Sequence, residues 1–137
     1  MRKAALLVFI AAFTPQAAAA KGGIKVLNSI PETYWGIWAP STGACTDGDK
    51  TTITLSAKTY SGPLGKCDVA SVSEIPSPKG STYSARLRCA DPAQAQKKTP
   101  ANFIIRPGDA NQISAGPGFD SLGAYQRCSS DAPAMKQ

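Results

Sequence analysis

Four cysteines constrain the fold of this 137-residue chain more than any other feature. No two of them are close enough in sequence to form the Cys-x-x-Cys unit of a zinc knuckle, and the chain has no histidine that would complete a zinc site. An even number of cysteines in a small exported chain instead predicts two disulfides. The cysteines to be paired are Cys45, Cys67, Cys89 and Cys128.

The N-terminus has the features of a secretory signal. Arg2 and Lys3 form a short cationic region, residues 4–13 are apolar, and residues 17–20 are alanines of the size that signal peptidase accepts. The apolar run is shorter than the roughly 20 residues that span a bilayer. We therefore predict that residues 1–20 are a signal peptide. Residues 21–137 then form one domain, periplasmic or secreted, with no membrane span after cleavage.

The mature chain alternates apolar and polar residues and has almost no helical periodicity. In residues 52–57, Ile53, Leu55 and Ala57 fall on one face and hydroxyl side chains on the other, and residues 82–89 alternate in the same way. This pattern predicts an all-β fold. We also expect a single helical turn near residues 31–33, an exposed polar loop at residues 91–100 and a frayed tail after about residue 129.

One hairpin register follows from the turn-forming residues 75–81, whose prolines and glycine do not suit a central strand. If the chain folds back about Pro78, Cys67 lies opposite Cys89. Opposed Cα atoms of an antiparallel pair are about 4.5–5.5 Å apart, which a disulfide can bridge. The register predicts Cys67–Cys89 and leaves Cys45–Cys128 as the second bond. The other predicted pairs are Val69–Leu87, Ser71–Ala85 and Ser73–Tyr83 on the same face, and Asp68–Arg88 and Glu74–Thr82 on the opposite face.

A second hairpin is predicted about Asp109. Its symmetry pairs Ile105 with Ile113, and Phe103 with Ala115. Short strands whose two ends are joined by a disulfide predict a small antiparallel barrel of about five to eight strands. A two-sheet β-sandwich is the alternative.

Two motifs near the ends of the mature chain resemble a known set of proteins. They are Pro31-Glu32 with Gly36-Ile37-Trp38-Ala39 followed by Cys45, and Tyr125-Gln126-Arg127-Cys128. This Gly-x-Trp-Ala, Cys, Tyr-x-Arg-Cys pattern is similar to that of small exported alphaproteobacterial proteins of unassigned role. The resemblance covers the two ends and the cysteine plan, and it implies no particular activity.

Gly-x-Trp on a first strand also resembles the start of calycin barrels, which include the lipocalins and a bacterial metalloprotease inhibitor. In those barrels the tryptophan closes the floor and a basic residue of the last strand lies over its ring. The resemblance implies a calycin-like barrel in which Gly36, Trp38 and Arg127 form a structural latch. A guanidinium over an indole is stabilising by about 0.5–2 kcal/mol.

Tyr34 and Trp35 are candidates for a binding surface. Trp35 lies an odd number of residues from Trp38, so an extended backbone directs the two indoles to opposite faces. An outward tryptophan beside a tyrosine suits the recognition of a partner. The alternative is that Trp35 covers one end of the barrel.

Arg86 and Arg88 are the second candidate surface. They project from the same side of one strand, away from the core, and Lys97 and Lys98 follow closely in sequence. The alternative is an ordinary solvated exterior that Asp68 partly neutralises. Of the 15 Lys and Arg of the chain, two leave with the signal, against 9 Asp and Glu. This mild and dispersed excess of cations does not indicate nucleic-acid binding.

The residues that catalysis usually requires are missing from the sequence. Without histidine the chain has no Ser-His-Asp or Cys-His nucleophile, and it has neither a Gly-x-Ser-x-Gly elbow nor a phosphate-binding glycine loop. Asp47-Gly48-Asp49 fits a β-turn better than a calcium loop, because the later acidic positions of such a loop are absent. We predict a protein that is not an enzyme and holds neither a cofactor nor a metal.

These observations favour an exported, non-catalytic binding protein. Its partner is then another protein, for example a hydrolase that it inhibits, or an envelope polymer. One alternative is a small-ligand carrier of calycin type, and another is a structural component of the cell envelope that binds cell-wall polymers. A carrier needs an interior cavity, lined by residues such as Tyr83, Leu87, Phe103 and Ile105.

Overall fold

A computed structural model describes residues 23–45, 50–94 and 96–128 of the chain. The predicted signal peptide, the Asp47-Gly48-Asp49 turn and the tail after residue 129 lie outside these residues. The described elements are strands and one short 3-10 helix, η1, so the prediction of an all-β fold is confirmed. The elements are β1 (Lys25–Leu27), η1 (Glu32–Tyr34), β2 (Gly36–Pro40), β3 (Ile53–Leu55), β4 (Thr59–Gly62), β5 (Gly65–Ile75), β6 (Thr82–Ala90), β7 (Lys98–Pro107), β8 (Gln112–Gly116) and β9 (Gly123–Arg127).

The strands from β2 to β9 form a closed barrel. Each strand is antiparallel to the next one in the chain, and β9 pairs back onto β2. The architecture is therefore an eight-stranded antiparallel barrel and not the alternative sandwich. β1 stands outside this ring and pairs with the C-terminal half of β5, where β4 no longer does. β7 begins at Lys98, so the predicted polar loop ends earlier than expected.

Both predicted disulfides are present. Cys67 and Cys89 are directly opposite each other in the β5–β6 ladder, as the hairpin register predicted. Cys45 and Cys128 are joined with their Cα atoms 5.6 Å apart. Because Cys45 follows β2 and Cys128 ends β9, the second bond lies beside the pair of strands that closes the barrel.

The predicted β5–β6 register is correct only up to Val69. A β-bulge at Ala70 shifts the ladder by one residue, so Val72, and not Ser71, lies opposite Ala85. The reason is burial: Val72 is fully buried, whereas the strict alternation would have directed two serine hydroxyls into the core. Glu74 consequently pairs with Tyr83 and not with Thr82, and Ser73 pairs with Ser84. The bulge lies between the part of β5 that pairs with β4 and the part that pairs with β1.

The predicted register of the β7–β8 hairpin is wrong by two residues. Ile105 pairs with Ala115, and Pro107 pairs with Ile113. The turn is centred one residue later than Asp109, because Asn111 adopts a left-handed conformation with φ of 61° and the Gln112 amide donates to the Asp109 carbonyl. A shift of two residues leaves the same side chains facing inward.

The barrel interior is filled by one cluster of buried side chains. Within this cluster the rings of Tyr60 and Phe103 pack against each other, with centroids 4.8 Å apart. Burial raises the pKa of Tyr60 to about 12, although the Leu64 amide donates to its hydroxyl and opposes the shift. The largest side chains of the cluster are Trp38, Tyr60, Phe103, Ile30, Ile53, Leu55, Leu87, Ile105 and Val72.

We expect the two disulfides to stabilise the barrel unequally. Their sequence separations of 22 and 83 residues correspond to loop-closure terms of about 3.4 and about 4.5 kcal/mol. Replacing Cys45 and Cys128 by alanine should therefore lower the free energy of unfolding more than replacing Cys67 and Cys89. Urea unfolding of the two double variants measures this order. A Cys45/Cys128 variant as stable as the parent would contradict the closing role of that bond.

Candidate functional site

The junction of the first and last barrel strands brings the latch residues together. Trp38 of β2 lies directly opposite Arg127 of β9 in the ladder that closes the barrel. Gly36 begins β2 with φ of 122°, a conformation that a residue with a side chain rarely adopts, and it is buried. This glycine turns the chain from η1 into the barrel wall.

Arg127 fastens this junction to the segment that precedes it. Its guanidinium carbon lies 4.3 Å from the centroid of the Trp38 ring. Nη1 donates to the carbonyl of Trp35 at 2.7 Å, and Nη2 donates to the carbonyl of Thr33. Burial lowers the pKa of Arg127 from its usual value, but an arginine remains charged at neutral pH. The side chain thus joins β9, the Trp38 ring and η1.

Both indole N–H groups hold the same end of the barrel closed. Trp38 Nε1 donates to the carbonyl of Tyr34 at 2.9 Å, and Trp35 Nε1 donates to the carbonyl of Ile30 at 2.8 Å. Ile30 is buried in the core, and its amide donates to the carbonyl of Ala57. The segment around η1 is therefore a floor, hydrogen-bonded to the barrel from several sides.

Tyr34 and Trp35 belong to this floor. Tyr34 is buried and packs edge-on against Tyr83, with ring centroids 5.4 Å apart, and the Tyr83 hydroxyl donates to Glu74 at 3.3 Å. Burial raises the pKa of both tyrosines, as does the Glu74 carboxylate. Trp35 is half-buried against the core. This geometry favours the cover of the barrel end over a recognition surface for these two residues.

Cations cluster on the outer wall formed by β5, β6 and β7. Arg86 and Arg88 are exposed on β6, and Arg88 is flanked by Asp68 on β5 and by Pro100 on β7. We call this surface the basic face. Its charged residues are Lys66, Asp68, Arg86, Arg88 and Lys98, of which Asp68 is the acid.

The carboxylate of Asp68 pairs with Lys98 and not with its cross-strand neighbour Arg88. Both members of this ion pair are about half exposed, so its contribution to stability is small. Within the described residues, Arg86 and Arg88 have no carboxylate partner. Their guanidinium groups are available to an anion from outside.

A groove adjoins the basic face along the outer surface of β3 and β4. One part has a volume of about 390 Å³ and reaches Lys66, Asp68 and Lys98; a second part of about 480 Å³ extends to Lys50 and Pro92. Thr54 and Ser61 line both parts, which therefore adjoin each other. We call them together the hydroxyl groove, after its lining residues Thr52, Thr54, Thr59 and Ser61.

Sequence reasoning located part of this surface. It placed Arg86 and Arg88 outward and noted the hydroxyl side chains that alternate with Ile53 and Leu55. It did not connect them, because Lys66 and the groove adjoin the arginines only once β4, β5 and β6 are paired. The alternation of Thr59, Tyr60 and Ser61 was the remaining local signal.

The described residues offer little for metal or redox chemistry. No three His, Cys, Asp or Glu side chains come together there as metal ligands, and all four cysteines are in disulfides. Two disulfides are typical of proteins that fold in an oxidising environment outside the cytoplasm. Among the residues with described positions, no helix is long and apolar enough to cross a membrane.

Comparisons of the chain with models of protein families, with curated proteins and with solved structures found no match. The eight-stranded antiparallel barrel is therefore the extent of the likeness that the structure establishes.

We expect Arg127→Lys to destabilise the barrel by about 1–3 kcal/mol, because lysine keeps the charge but cannot stack on Trp38 while donating to two carbonyls. Arg106→Lys is the matched control. Arg106 also lies over an aromatic ring, that of Phe119 at 5.8 Å, but it is exposed, so its replacement should cost less than about 0.5 kcal/mol. The urea unfolding midpoints of the two variants measure this difference. Equal losses of stability in Arg127→Lys and Arg106→Lys would contradict the role of Arg127 as a latch.

Proposed function

We propose that this chain is an exported, non-catalytic binding protein that contacts its partner through the outer surface of a rigid barrel, in the periplasm or outside the cell. The observation that carries the proposal is the filled interior. The side chains that face inward from the barrel strands form one packed cluster. The hydroxyl groove lies on the outer surface, and a smaller hollow of about 220 Å³ lies at the latch, beside Trp38 and Arg127. A partner would therefore bind to the outer surface of the barrel and not inside it.

The packing argues against the carrier alternative at the residues that a cavity would require. Leu87, Phe103 and Ile105 are each no more than 2% exposed and belong to the core cluster. Tyr83 packs against Tyr34 at the closed end of the barrel. A guest of ordinary ligand size would have to displace several of these side chains, each of which contributes roughly 1.5–3 kcal/mol by its burial.

The disulfides and the latch support binding by a preformed surface. Two covalent bonds and the Arg127 contacts hold β2, β5, β6 and β9 in one arrangement. A rigid surface loses less conformational entropy when it binds, so more of the contact energy is available as affinity. A scaffold of this kind serves recognition without any reactive group.

The hydrolase-inhibitor version of the proposal has one specific observation in its favour. Phe119, in the loop between β8 and β9, is 55% exposed. An aromatic side chain that protrudes from a loop is a common anchor in protein interfaces. We regard this as the second candidate, and it is tested by inhibition assays in which Phe119→Ala should abolish any inhibition found.

We expect the mature protein, residues 21–137, to show no saturable binding of apolar ligands inside the barrel. The readout is the fluorescence of Trp38 in a Trp35→Phe variant, titrated with a long-chain fatty acid and with an apolar dye. Buried Trp38 should report no change, because the interior is already filled. The same protein should be retained by at least one fraction of a bacterial envelope, namely cell-wall material, soluble polysaccharide or soluble protein.

Stoichiometric quenching of Trp38 by an apolar ligand would overturn the proposal in favour of a carrier. The proposal would also be overturned if the protein bound none of the three envelope fractions and inhibited none of the hydrolases assayed.

A further inference from the structure

We propose that the basic face and the hydroxyl groove together bind an anionic polysaccharide, a polymer of sugars that carry carboxylate or phosphate groups. This inference rests on the proposed function and names the class of partner. Nothing in it depends on the latch or on the closed end of the barrel.

The arrangement of charge supplies the first reason. Arg86 and Arg88 are two residues apart on β6, so their side chains emerge about 7 Å apart. Lys66 on β5 and Lys98 on β7 lie beyond Arg88, where Asp68 engages Lys98 and leaves Lys66 and the two arginines as the net positive charge. Each guanidinium presents a planar fork of donors that matches a carboxylate or a phosphate. A row of such donors suits a polymer with an anionic group at regular intervals.

The groove supplies the second reason. The hydroxyls of Thr54, Thr59 and Ser61 line it, and lysines stand where it meets the basic face. Hydroxyls both donate and accept hydrogen bonds, as the hydroxyls of a sugar do. The groove continues past Thr54 and Ser61 towards Lys50. Two adjoining hollows side by side suit a linear chain several units long better than a single small molecule.

The apolar residues of this surface offer no protruding anchor. The larger of those that line the groove are Pro63, Leu64 and Pro92 in one part and the buried Tyr60 in the other, and none of these four is a large exposed side chain. Among the residues that the structure describes, the large apolar side chains that are exposed are Ile24, Val26 and Phe119. They lie on or beside β1 and in the β8–β9 loop, outside the basic face and the groove. A protein partner draws most of its affinity from buried aromatic or aliphatic anchors, and a membrane surface usually takes up apolar side chains as well. A polar, charged polymer needs neither.

The test uses the folded mature protein and defined probes. Polygalacturonate, a linear polymer with one carboxylate on each sugar, is the positive probe. Neutral dextran, poly-L-glutamate and vesicles containing anionic phospholipid are the comparison probes, all at low ionic strength. We expect binding to polygalacturonate that weakens as salt is raised, with little binding to the other three.

Two variants locate the site. R86Q/R88Q should weaken polygalacturonate binding about ten-fold or more, a change of about 1.4 kcal/mol or more, since both guanidinium forks of the basic face are lost. Ser61→Glu, which places a carboxylate in the groove, should weaken it to a similar extent. K25Q/K79Q removes the same charge from exposed lysines outside the site and should change the affinity less than about two-fold. The four substituted side chains of the two charge variants, and Ser61, are exposed, so all three variants should fold.

Each contrary result overturns the proposal. No binding of polygalacturonate would remove it directly. Equal binding of poly-L-glutamate or of anionic vesicles would show attraction by charge alone. Equal losses in R86Q/R88Q and K25Q/K79Q would place the contact elsewhere. If an envelope fraction is retained equally by the parent and R86Q/R88Q, this inference fails and the proposed function stands; if no fraction is retained by the parent, the proposed function fails as well.

Discussion

The structure depends on the closure of the barrel between its first and last strands. In an open meander, β2 and β9 would be edge strands with unpaired backbone groups. Here their ladder is reinforced by the Arg127 guanidinium over Trp38 and by the Cys45–Cys128 bond at the end of β9. Backbone hydrogen bonds, a disulfide and a cation–π contact therefore all stabilise the same β2–β9 junction. With the ring closed, every strand from β2 to β9 has a neighbour on both sides.

Closure also separates a packed interior from the outer surface. The floor around η1 covers one end of the barrel, and Tyr60 and Phe103 pack against each other in the core. The outer wall of β3 to β7 carries the hydroxyl groove and the guanidinium groups of Arg86 and Arg88, which have no carboxylate partner among the residues that the structure describes. The outer surface is thus held in place by the packed core and the two disulfides.

Local patterns predicted the parts of this fold that depend on neighbouring residues. The turn about Pro78 and the alternation on either side of it were enough to pair Cys67 with Cys89. They were not enough to find the bulge at Ala70. Val69 and Val72 are three residues apart and both buried, whereas strict alternation places residues three apart on opposite faces. The β7–β8 register failed for a conformational reason, since Asn111 with positive φ moved the centre of the turn. The groove escaped prediction because it joins residues of β3, β4 and β5, whose mutual pairing the local patterns did not supply.

Amide hydrogen exchange at the β2–β9 junction tests the closed barrel most directly. The amide of Cys128 donates to the carbonyl of Ile37 at 2.8 Å, and that of Ser41 donates to the carbonyl of Ala124 at 3.0 Å, so each reports on this junction. If closure is the feature on which the fold depends, both amides should exchange only through global unfolding, with the free energy measured by urea denaturation. Exchange through a local opening of several kcal/mol less, while β5 and β6 remain protected, would show that the barrel opens at this seam and would contradict the account.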